Sequence, residues 1–180
     1  MRFSELIPLT AAVTNLALTL FVLTRDLRST LNRVYLLWGL SITVWNLGTF
    51  FMFALKDEES ARFWSAFLHY GVIFLPISLF HLSLLIAQVR LPRWLPACYV
   101  WCGLLALANA MGLFTAGVRN LGYAYYSKAG LGFWVYVPTY VVITTATVVV
   151  LYQKLKTLQR VHRARVKALP KGKMWILLNG

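Results

Sequence analysis

Charge is scarce in this chain, and acid is scarcer. Charged residues make up 13% of the 180 positions, about half of the ~25% usual in a soluble domain. That shortage excludes an ordinary soluble globule, which needs a charged surface. Only 5 Asp and Glu stand against 18 Lys and Arg, for a net charge of +13. Cysteine is sparse too: Cys98 and Cys102 lie four apart on one helical face, with no C-x-x-C pair. That spacing offers neither a disulfide framework nor a zinc site, and the two thiols read as apolar filler. Catalytic signatures are missing. There is no H-E-x-x-H, no G-x-S-x-G, no Walker A sequence and no dinucleotide fingerprint. Ser78, His81 and Ser83 are neighbours in sequence, but Ser78 and His81 lack a nearby carboxylate. No catalytic residue, metal site or cofactor is expected.

What is present is apolar. The chain is 59% hydrophobic and 15% aromatic, with a mean hydropathy of +0.66. The longest uncharged stretch is FWSAFLHYGVIFLPISLFHLSLLIAQ, residues 63–88. As a helix it would reach about 39 Å, more than a ~30 Å hydrocarbon core requires. It carries Gly71, Pro76 and His81, and it reads as the central helix of a membrane bundle. Four further spans are expected at 5–24, 34–55, 95–115 and 132–152, giving an all-α, polytopic helical bundle. The first span is read as uncleaved, because Glu5 interrupts it early and no small-x-small site precedes Arg25. The fourth has Ala106 and Ala110, and Ala108 and Gly112, at the small-xxx-small spacing that lets helices approach closely. The segment 116–131, with Tyr123, Tyr125 and Tyr126, is expected to be a loop. Its tyrosines suit an interfacial belt or a lid over an outward-facing pocket.

Beyond 152 the chain becomes QKLKTLQRVHRARVKAL, a basic helix predicted over 153–169. PKGK breaks it, and MWILLNG reads as the start of a sixth span, 174–180, belonging to a longer polypeptide. The bases fix an orientation. Thirteen of the 18 fall in linkers 25–33 and 89–94 and in the tail, whereas four of the five acids lie on the other side. The positive-inside rule then places the N-terminus outside and the tail in the cytoplasm. In this setting the basicity answers to membrane orientation and anionic headgroups, and no nucleic-acid partner is expected.

Apart from Glu5 at the edge of the first span, no carboxylate or base lies within a span, which argues against proton-coupled transport. The polar residues at membrane depth are neutral: Asn15, Asn46, His69, Tyr70, Ser78, His81 and Asn109. Each must find a partner inside the bundle, because hydrocarbon supplies none. They are either interhelical hydrogen bonds or the lining of a ligand pocket. Asn15 and Asn46 fall near mid-membrane, where pairing with each other is the plainer account. Pro76 removes the helix bond to the Val72 carbonyl and is expected to loosen the helix beside His81. Pro138 is expected to kink the fifth span.

Three features in order are familiar: the linker RDLRSTLNR, then WNLG, then LPISLFH. With YYSKAGLGFWVYVPTYVV and the basic helix that follows, they resemble the N-terminal seven-transmembrane region of bacterial sensor histidine kinases. The resemblance covers nearly all of the chain and implies a sensory module in the bacterial cytoplasmic membrane. It implies a small-molecule or membrane-borne signal, and an output domain outside these residues. It also implies homodimerisation through the full-length protein. His162 has no dimerisation-helix context, so no kinase activity attaches to this chain. The competing reading is a small permease or transporter subunit, which the absence of intramembrane charge and of an internal repeat disfavours.

Overall fold

A computed structural model describes residues 3–26 and 28–168. The elements run α1 (Phe3–Arg25), α2 (Thr30–Ala54), α3 (Glu58–Ala87), α4 (Leu95–Ala110), β1 (Thr115–Asn120), β2 (Tyr125–Ala129) and α5 (Leu131–Ala168). Four helices, α1, α2, α3 and α5, are long and apolar enough to cross a membrane; α4 is apolar but shorter. The expected start of a sixth span lies outside the described residues.

α3 is the axis of the bundle. Its apolar window is 56% buried, against 17% for α1 and for α5. It packs against α2, α4, α5 and both strands, whereas α1 packs on α2. It also starts earlier than hydropathy suggests. The acidic cluster at 57–59 is a helix start rather than a linker: the Asp57 side chain accepts the Ser60 amide at 2.7 Å. That bond holds the Asp57 carboxyl below its usual range. Glu58 and Glu59 fill the first turn, where the helix dipole favours negative charge. Glu58 also pairs with Arg62 one turn on. At the other end Gln88 adopts φ 55°, and Val89 donates back to the Leu84 carbonyl at 3.0 Å.

Glycine sets the closest helix approach. Gly71 of α3 lies against the α2 backbone, so a Cβ there would collide with the Ser41 carbonyl and meet the Trp45 amide nitrogen at 2.8 Å. On the far side of α2, Gly39 receives the Thr19 hydroxyl of α1. α4 docks differently from expectation. It buries Cys102, Leu105 and Asn109, while Gly103 faces open space and Ala110 is exposed. The small-xxx-small pairs are therefore not its contact face.

The fourth span and the loop after it both need correction. α4 stops at Ala110 rather than 115, which makes it about 24 Å long, short of a ~30 Å core. Gly112, at φ +75°, turns the chain out of the helix, and Leu113 donates to the Ala108 carbonyl at 2.9 Å. The segment expected to be a loop is an antiparallel hairpin in the register Val118↔Ser127, Arg119↔Tyr126 and Asn120↔Tyr125, with a bulge between Thr115 and Val118. Val118 and Tyr125 bury themselves against Met52, Ala61 and Leu68. The Tyr125 hydroxyl reaches the Lys56 carbonyl at 3.2 Å. The α4–α5 connection therefore sits at the same end as the α2–α3 connection.

Span five and the basic helix form one element. α5 runs unbroken from Leu131, through Pro138, to Ala168. Its 38 residues reach about 57 Å, well past a bilayer core.

Candidate functional site

The site is built around the backbone defect that proline makes in α3. An α-helical carbonyl accepts the amide four residues on; Pro76 has none, and its ring crowds that carbonyl. The orphan is the Val72 oxygen. It lies in the most buried layer of the protein, where Ile73 and Ile77 have no exposure. A lone carbonyl there would cost about 1–3 kcal/mol. The fold supplies a substitute from another helix: the Tyr136 hydroxyl of α5 donates to Val72 O at 2.7 Å. The next carbonyl, Ile73 O, takes the Cys102 thiol of α4 at 3.5 Å. Ser78 turns its hydroxyl back onto Phe74 O and Leu75 O, at 2.7 and 3.0 Å. The turn of α3 that precedes Pro76 is thus tied to both α4 and α5 by side chains.

A crevice of about 460 Å³ opens beside this turn, between α2, α3 and α5. Its walls are almost wholly apolar. Trp45, Leu75, Phe133 and Tyr140 line it, and Val72 and Tyr136 form part of its lining. The crevice can take an apolar molecule from the side, next to the bond joining α3 to α5.

Toward the hairpin end lies a second polar group. His69 donates from Nδ1 to the Ser65 carbonyl at 2.6 Å, and its ring packs on Phe114 and Phe133. Asn109 of α4 donates to the Ala66 carbonyl at 2.8 Å, while its Oδ1 is buried with no partner among the described residues. The Ser65 hydroxyl shares a hydrogen bond with Ser127 of β2 at 2.7 Å. α3, α4 and the hairpin are therefore pinned together over one turn.

The polar residues expected from sequence divide accordingly. His69 and Asn109 fall within one helical turn of each other's partners. His81 lies near the opposite end, with Nδ1 and the Tyr99 hydroxyl 3.1 Å apart. Asn15 and Asn46 do not pair. Asn15 donates to Ala11 O at 2.7 Å and Asn46 to Ile42 O at 2.9 Å, each within its own helix. An i−4 carbonyl is always within reach of a short amide side chain, which makes a partner across the bundle unnecessary. Tyr70 is on the exposed face of α3. Sequence reasoning missed Tyr136, Cys102, Tyr99, Ser65 and Ser127, because all five act across long sequence separations. Pro76 was the available signal: it announces an orphan carbonyl but not the group that satisfies it.

The family model for the N-terminal 7TM region of histidine kinase matches residues 7–175. No curated protein and no solved structure matches the chain. A helical membrane bundle and a match over nearly the whole length agree, and the chain belongs to the N-terminal seven-transmembrane family of histidine kinases.

Proposed function

We propose that this chain is the signal-input module of a bacterial sensor histidine kinase or related signalling protein. It sits in the cytoplasmic membrane, with the hairpin outside and the basic end of α5 in the cytoplasm. The output domain is not among these residues. The family is a sensory membrane region and not a catalytic one. α4 is counted as a crossing in this reading, since it starts beside the C-terminal end of α3 and its far end meets the hairpin. That arrangement supports an up-down bundle of five crossings.

One observation carries the mechanism. The Tyr136–Val72 bond joins the loosened turn of α3 to α5, and α5 leaves the membrane as one continuous helix to Ala168. A signal that favours one arrangement of α3 against α5 is delivered to the cytoplasmic side without a joint. The crevice beside Tyr136 offers a membrane-borne or small apolar molecule the differential contact that such a shift requires. In the full-length protein the shift is passed on through a homodimer.

The test is output from the full-length protein in cells, with membrane abundance measured in parallel. Tyr136→Phe and His81→Ala are expected to change output at normal abundance. Asn46→Ala, whose amide bonds only its own helix, is expected to signal as wild type. Wild-type output from both Tyr136→Phe and His81→Ala defeats the proposal.

A further inference from the structure

A second cavity, about 400 Å³, lies at the opposite end of the bundle from the hairpin, where α3 hands over to α4. His81, Arg93 and Tyr99 form part of its lining, and Pro92, Leu95 and Pro96 make an apolar wall. Two features make it electropositive. Arg93 is exposed, and among the described residues no carboxylate pairs with it. The N-terminus of α4, a helix of 16 residues, opens beside it and contributes the positive end of the helix dipole. Among the described residues His81 Nε2 is buried without a partner, while Nδ1 is engaged with the Tyr99 hydroxyl. When that hydroxyl donates to Nδ1, the ring proton sits on Nε2, a donor that lacks an acceptor. The position is interfacial: exposed Trp94 stacks on Phe80 at 5.5 Å beside the cavity, and Arg90 and Arg93 lie in the α3–α4 linker.

We propose that this cavity is a binding site for one anionic phospholipid. The headgroup phosphate sits between Arg93 and the α4 N-terminus, and the acyl chains lie along the apolar wall. A soluble phosphate would satisfy the charges but would leave the wall of Leu95 and the prolines unused; a lipid satisfies both. In the orientation proposed above the site faces the cytoplasmic leaflet. The inference is independent of the signalling reading, because it concerns binding and not output.

Spin-labelled phosphatidylglycerol and phosphatidylcholine, each added to the chain reconstituted in phosphatidylcholine bilayers, measure the preference directly. Wild type is expected to retain phosphatidylglycerol preferentially. Arg93→Gln, an exposed change that leaves the fold intact, is expected to lower the preference about fivefold, the ordinary weight of one base at an anionic headgroup. Arg90→Gln, outside the cavity lining, is expected to leave it within about twofold. Three results overturn the proposal. One is no preference in wild type. Another is equal loss in Arg90→Gln and Arg93→Gln, which means diffuse surface charge. The third is loss of the preference on adding millimolar inorganic phosphate at constant ionic strength, which means a soluble-anion site.

Discussion

Replacing Tyr136 with Phe removes one oxygen from a side chain that is 3% exposed, and it keeps the ring packed on Phe114 and Phe133. No cavity opens, so the whole effect falls on the Val72 carbonyl, bonded at 2.7 Å. A buried polar group left unmade costs about 1–3 kcal/mol in soluble proteins. Interhelical hydrogen bonds in membranes average nearer ~0.6 kcal/mol, with a maximum near ~1.7. The upper part of the membrane range applies here, because Pro76 has already removed the carbonyl's own helical partner. The expected loss is about 1 kcal/mol, roughly fivefold in the unfolding equilibrium. Pro76→Ala supplies the control. It restores an amide to the Val72 carbonyl, so Tyr136→Phe in that background should cost about half as much or less. Unfolding in mixed detergent micelles, followed by circular dichroism on all four members of the cycle, measures the coupling. Equal costs of Tyr136→Phe in the wild-type and Pro76→Ala backgrounds would refute the idea that the hydroxyl stands in for the missing amide.

Three other outcomes follow from the geometry. Gly71→Val should separate α2 from α3 and destabilise the bundle by at least the ~1–3 kcal/mol typical of overpacking, whereas Gly103→Ala, which meets nothing within 4 Å, should be neutral or slightly stabilising in the same micelle assay. Ser65→Ala and Ser127→Ala should each loosen the hairpin, and the double variant should be no worse than either single one, read as amide exchange over 115–129. For Asp57 the sign is set by its depressed folded pKa: the cap operates above the ordinary carboxyl range and is lost as pH falls through the lowered value. Exchange protection in the first turn of α3 should therefore persist at neutral pH and disappear in acid, and Asp57→Ala should lack it at both.

The sequence by itself determined that this is a helical membrane protein, where α1, α2, α3 and α5 lie, and that α3 is the centre. Long uncharged runs admit little else, because every backbone group in hydrocarbon must be bonded within its own segment. The early start of α3 was not read, because hydropathy begins the span at residue 63 whereas the Asp57 cap and the acids after it carry the helix back to Glu58. The order of linker, WNLG and LPISLFH was enough to indicate the family to which the chain belongs. The hairpin was harder to read. Its strands are only 6 and 5 residues long, and a bulge near Gly117 breaks their alternation. Only the tertiary structure decided what the polar residues do. Asn15 and Asn46 could each be satisfied locally or across the bundle, and the i−4 carbonyl prevailed because it is already in place. The Val72 carbonyl had no local option, because proline had removed it, so its partner had to come from the helix packed against that turn. A donor 64 positions away leaves no trace in local periodicity, and the packing of α5 on α3 alone brings Tyr136 to it.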